Sequence, residues 1–149
     1  MGMSYIVKPL DLPVTVKINR LLVLVPLAHL NEDSFGRQVW ELAHFYHANV
    51  LFLALARDDD ELLRAEHRLA HIAAVTMDRK VHVTCRVEYK KSLANALNHC
   101  SNSDDLLVCL KEQTISQHIF LRIPLYEWLS QHTERPICLL TQSLNGHKS

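Results

Sequence analysis

Apolar runs and amphipathic stretches alternate along most of the chain. Residues 21–25 (LLVLV) form a continuous apolar run stopped by Pro26, the pattern of a strand buried on both faces. Asp33 and Ser34 then offer an N-cap, and Phe35, Val39, Leu42, Ala43 and Tyr46 recur with the spacing of one helical face. Residues 50–56 (VLFLALA) read as a second buried strand. The acidic cluster 58–61 suits the positive end of a second helix, along which Leu62, Ala65, Leu69, Ile72, Ala73 and Thr76 line one face. Residues 81–89 (VHVTCRVEY) differ: Val81, Val83, Cys85, Val87 and Tyr89 alternate with His82, Thr84, Arg86 and Glu88, which predicts a strand with one wet face. Ser92 caps a short helix that turns Leu93, Ala96, Leu97 and Cys100 inward, and residues 106–110 are again apolar throughout. Pro124 fits the first turn of a helix carrying Leu125, Trp128 and Leu129, before a last strand at 136–141 (PICLLT).

Five strands separated by helices call for an α/β fold, a doubly wound parallel sheet with right-handed crossovers and helices on both faces. Strand character selects the order. The second strand is uniformly apolar and the third alternates, so the third belongs at an edge and the order 3-2-1-4-5 fits better than 2-1-3-4-5. The fifth strand then occupies the other edge and is apolar enough to need a cover. Either residues 14–18 supply it or a second molecule does; a homodimer through Ile137, Leu139 and Leu140 is the expectation. Residues 1–19 read as an N-terminal segment or linker, 20–142 as one domain, and 143–149 as a disordered tail.

Composition narrows the classes. Lys and Arg balance Asp and Glu at 16 each, so no global field draws the chain to nucleic acid or an anionic membrane, and there is no basic stripe with interleaved aromatics. The apolar runs are too short to cross a bilayer, and the first residues carry no apolar core of a secretion signal. The four cysteines, Cys85, Cys100, Cys109 and Cys138, lie far apart without a CxxC pair, which predicts reduced thiols in a cytoplasmic setting.

With this element order, three stretches resemble the universal stress protein family of adenine-nucleotide-binding α/β domains: RLLVLVPLA (20–28), DDLLVCL (104–110) and RPICLLT (135–141). The resemblance covers about residues 20–142 and implies a Rossmann-type sheet. ATP-binding members carry an Asp after the first-strand Pro and a Gly-x2-Gly-x9-Gly-Ser/Thr signature after strand four. Those positions fall here on Ala28 and on Leu110, Gln113, Ile123 and Pro124, and all five depart. Gly is required where backbone must approach an anion closely, and Pro124 removes an N–H. The resemblance therefore implies the family's fold without its ATP site, a dimerisation or regulatory module with no cofactor. Such domains occur alone or as cytoplasmic parts of transporters and sensors, so a protein partner or a fused membrane transporter is a further expectation.

Other chemistry is thinly supported. A rebuilt cleft at the carboxyl ends of strands one and four would use Pro26, Leu27, His29, Lys111 and Arg122, and would make the chain a nucleotide or small-ligand sensor. His67 and His71 stand one helical turn apart, but beside Arg64 and Arg68, which disfavour a metal ion. No GxSxG elbow, P-loop or activated Cys motif points to catalysis. Residues 111–123 show no clear periodicity and are expected to form a long loop, laying Ile119, Phe120 and Leu121 on the sheet.

Overall fold

The computed structural model describes residues 4–8, 17–118 and 121–142. Its strands are β1 (Ser4–Lys8), β2 (Arg20–Leu24), β3 (Asn49–Ala56), β4 (Val83–Tyr89), β5 (Asp105–Leu110), β6 (Thr114–His118), β7 (Leu121–Pro124) and β8 (Ile137–Leu140). Its helices are α1 (Glu32–Tyr46), α2 (Asp59–Thr76), α3 (Leu93–Cys100) and α4 (Leu125–His132). The main sheet runs β1-β8-β5-β2-β3-β4. Its five alternating strands are parallel and take the expected order 3-2-1-4-5, with β2 central and β4 at one edge.

Each face of the sheet has its own core. Leu21, Val23, Val50, Phe52, Leu106 and Val108 pack under α1 and α2 against Phe35, Val39, Leu69 and Ile72. Leu22, Leu24, Leu51, Leu53, Leu107 and Leu139 meet Leu93, Leu97, Trp128 and Leu129 of α3 and α4 on the other face. Alternate residues of one strand thus serve both cores, which is why these strands read as unbroken apolar runs. Helices α1 and α2 approach closely at Gly36, where an added Cβ would lie 2.9 Å from Val75 Cγ1.

Two local expectations change. The α1 cap is Asn31, whose side chain accepts from the Ser34 N–H, so the helix begins before Asp33. Ile119 and Phe120 lie outside the described residues, while Leu121 is exposed rather than laid on the sheet.

The apolar edge at β8 is covered from within. β1 pairs antiparallel with it, setting Ser4 opposite Leu140 and Lys8 opposite Ile137. Residues 14–16 lie outside the described residues, and Lys17 and Ile18 belong to no strand. Ile137, Leu139 and Leu140 are therefore buried in an interior strand between β5 and β1, with no open edge there to offer a second molecule.

The amino end of the sheet is fastened by one ion pair. Parallel register puts Arg20 opposite Asp105, the first residues of adjacent strands. Arg20 donates Nε to Asp105 Oδ1 at 2.9 Å and Nη2 to Oδ2 at 2.8 Å, and Nη2 also reaches the Cys100 carbonyl. The Asn102 N–H donates to the same carboxylate, which is fully buried.

Candidate functional site

In an open parallel sheet the ligand crevice lies beyond the carboxyl ends of the strands, where the connections part to either side. Here that place lies beyond β2 and β5, between the β2–α1 loop and the β5–β6 turn. Its backbone is already engaged. Arg68 of α2 donates Nη1 to the carbonyls of Pro26 (2.7 Å) and Ala28 (2.6 Å), and Arg64 Nη2 donates to that of Leu27. The Arg68 guanidinium also bonds Glu32 through Nε at 2.7 Å. The Asn31 N–H donates to Gln142 Oε1, and Gln38 Nε2 donates to the Thr141 carbonyl, tying the start of α1 to the residues after β8.

The second wall is closed by Gln113. Its Oε1 accepts from the Leu110 N–H, its own N–H donates to the Leu110 carbonyl, and its carbonyl accepts from the Leu125 N–H at the start of α4. The Lys111 N–H donates to the Leu140 carbonyl. The positions that would hold the family's second pair of signature residues, Ile123 and Pro124, lie on the hairpin strand β7.

The structure disperses the five cleft candidates. Pro26 and Leu27 give their carbonyls to Arg68 and Arg64. His29 is exposed on the loop, and Lys111 is exposed beyond β5. Arg122 is turned across the hairpin, donating to Thr114 Oγ1 through Nε and Nη2 and to Ser116 Oγ through Nη1. Of the five, only Leu27 borders the cavity of about 410 Å³ beside this loop, with Glu32, Leu63, Arg64, His67, Arg68 and His71. Its cationic side is offset by carboxylates: His71 Nδ1 stands 2.6 Å from Glu32 Oε1 and its Nε2 3.2 Å from Asp33 Oδ1.

Arg64 and Arg68 are the residues that sequence reasoning passed over, having been weighed only as neighbours that repel a metal. Their spacing of one helical turn, beside the apolar stripe of α2, was the available signal. Among the described residues no group of three or more His, Cys, Asp or Glu side chains is placed to hold a metal ion. Burial pushes the Cys109 thiol up to about 12, with Cys138 adding to the effect, and burial also raises the thiols of Cys85 and Cys100. These are conditions that suppress thiolate chemistry.

Among the described residues no helix is long and apolar enough to cross a membrane. No family model matches the chain, and no curated protein matches it significantly.

Proposed function

We propose that this chain is a non-catalytic regulatory domain of universal-stress-protein type, which works through contact with protein and has no nucleotide at its switch point. The observation that carries this reading is the engagement of six backbone amides on the two walls of the crevice. Phosphate recognition in such folds uses free N–H groups at glycine-rich turns and helix N-termini. Here the amides of Asn31, Ser34, Leu110, Lys111, Gln113 and Leu125 all donate to acceptors of the chain itself. The domain is suited to stand alone or to serve as the cytoplasmic regulatory part of a transporter or sensor.

Thermal denaturation with ATP or AMP tests the reading. A ligand at a hundred times its dissociation constant stabilises by about 2.7 kcal/mol. For a chain of this size that is a rise of roughly 5–10 °C. The expected result is no rise. A rise that Lys111→Ala abolishes would overturn the proposal and make the chain a ligand sensor using the cleft beside β5.

A further inference from the structure

Strand β4 closes the sheet opposite β1, and among the described residues nothing pairs with its outer edge. Natural edge strands are usually blunted by proline, by a bulge, by lysines or by a covering segment. The opposite end of the sheet shows such a device, since the β1–β8 register shifts between Ile6 and Lys8. β4 shows neither a bulge nor a covering segment among the described residues, and its two charged side chains, Arg86 and Glu88, bond to each other rather than leaving one sign of charge along the edge. It contains neither proline nor lysine, and its pairing with β3 runs unbroken from Val83 opposite Val50 to Tyr89 opposite Ala56.

The backbone of β4 has a defined outward set. The Val50 N–H donates to the His82 carbonyl and the Lys90 N–H to the Ala56 carbonyl, so the even-numbered residues bond toward β3. The odd-numbered residues Val83, Cys85, Val87 and Tyr89 thus aim their N–H and C=O away from the sheet. The side chains sort by the same parity. Cys85 and Tyr89 contact α2, at the Leu69 carbonyl and Asp59, while Glu88 contacts Cys100 of α3 on the other face.

We propose that β4 is a homodimer edge, pairing antiparallel with β4 of a second copy about a two-fold axis at Val87. The register follows from charge. An axis at Arg86 would set two arginines directly opposite each other, and an axis at Glu88 two glutamates; like charges so placed are destabilising. An axis at Cys85 would place Arg86 opposite Thr84 and Glu88 opposite His82. The axis at Val87 places Arg86 of each copy opposite Glu88 of the other. Arg86 and Glu88 already bond within one strand, and Lys91 Nζ lies 3.2 Å from Glu88. The dimer would complete a ring of four alternating charges on the α3 face. Val87 and Val87 form the central hydrogen-bonded pair, and Cys85 meets Tyr89 on the α2 face. A two-fold contact of this kind closes on itself and does not propagate into fibres.

This inference rests on reading the chain as a contact module, and its test is separable from the nucleotide test. In wild-type protein, sedimentation equilibrium is expected to show a dimer. Hydrogen exchange at Cys85, Val87 and Tyr89 is expected to slow as protein concentration rises, while Thr84, Arg86 and Glu88 stay protected throughout. Arg86→Glu turns two attractive pairs repulsive and weakens the dimer about tenfold or more, as does Glu88→Arg. Mixing these two variants restores a heterodimer, because each supplies the charge that the other lacks. A monomer at all concentrations, or a dimer without concentration-dependent protection at the three odd-numbered amides, overturns the proposal. The wild-type exchange experiment decides the matter even where a Glu88 variant fails to fold. Nucleotide binding by a protein that dimerises in this way would sink the function proposed above and leave this edge standing.

Discussion

Removing Arg20 strands a buried charge, and the cost can be worked from its contacts. Asp105 has no exposed surface, and its carboxylate accepts two bonds from the Arg20 guanidinium and one from the Asn102 N–H. Arg20→Ala removes the counter-charge and the donor to the Cys100 carbonyl, leaving an ionised group that burial penalises. Breaking one partner of a buried pair costs about 3–5 kcal/mol, a large share of the roughly 5–15 kcal/mol that holds a domain folded. For a chain of 149 residues this is a fall in Tm of about 6–20 °C. Arg20→Lys keeps the charge and loses the two-pronged geometry, so it is expected to fall between the two. The decisive comparison is Arg20→Met with Asp105→Leu, which removes both charges and keeps the volume. It is expected to recover most of the loss, less about 1–3 kcal/mol for the Asn102 and Cys100 backbone groups left without their partners. Urea denaturation followed by circular dichroism measures all three. A loss below about 1 kcal/mol for Arg20→Ala, or a double variant no more stable than the single, would refute the claim that this charge pair fastens β2 to β5.

Three further outcomes are expected. Gly36→Ala destabilises by about 1–3 kcal/mol despite the better helix propensity of alanine, because the new Cβ meets Val75; adding Val75→Ala recovers part of the loss in a chemical melt. The Asp78 carboxyl is held well below the usual range, chiefly by the Trp40 indole N–H, then by the Lys80 N–H and His44. Its stabilisation is present above the unfolded pKa of about 4 and lost as pH falls through the lower folded value, so the Tm gap between wild type and Asp78→Asn narrows as the solution is acidified below about pH 4. Of the four cysteines Cys85 alone is exposed, so a thiol reagent modifies one site in the native protein and none in Cys85→Ser.

The fold was legible where burial leaves a mark on composition. A strand covered on both faces must be apolar at every position, as at residues 50–56 and 106–110, and a strand with a wet face must alternate, as at 83–89. That contrast alone selected the sheet order. Elements held by pairing rather than by burial left no such mark. TISQH has no apolar period, so the first strand of the β6–β7 hairpin could not be told from a loop, and the partner of β8 could not be chosen by hydrophobicity. The helix cap was missed for a related reason: Asn31 and Asp33 are both good caps, and the contact that accompanies Asn31 comes from Gln142, 111 residues away. At the candidate site the absence of glycine from the β2–α1 loop and the β5–β6 turn was legible, but the groups that engage the backbone there were not. Arg64 and Arg68 look like ordinary surface residues of α2 until α1 and its loop are folded beside them.

The engagement of the crevice backbone is not the work of one residue, and this bears on whether a nucleotide site could be introduced there. An anion nest needs backbone with successive N–H groups turned to one side, which commonly requires a residue with positive φ. Among the described residues the positive values are at His47 (φ 52°), which ends α1, and Lys90 (φ 58°), which follows β4, and neither lies in the β2–α1 loop or the β5–β6 turn. Gln113→Gly would permit the conformation, yet it frees only the Leu110 N–H from its side-chain acceptor. The Lys111 N–H would still be held by β8, the Leu125 N–H by the backbone carbonyl of residue 113, and the Asn31 N–H by Gln142. Each remaining bond holds an amide in a geometry suited to its present acceptor, so the turn has no reason to open for phosphate. On the function proposed above, gain of nucleotide binding requires concerted change on both walls of the crevice, and the single Gln113→Gly variant is expected to bind ATP no better than the wild type.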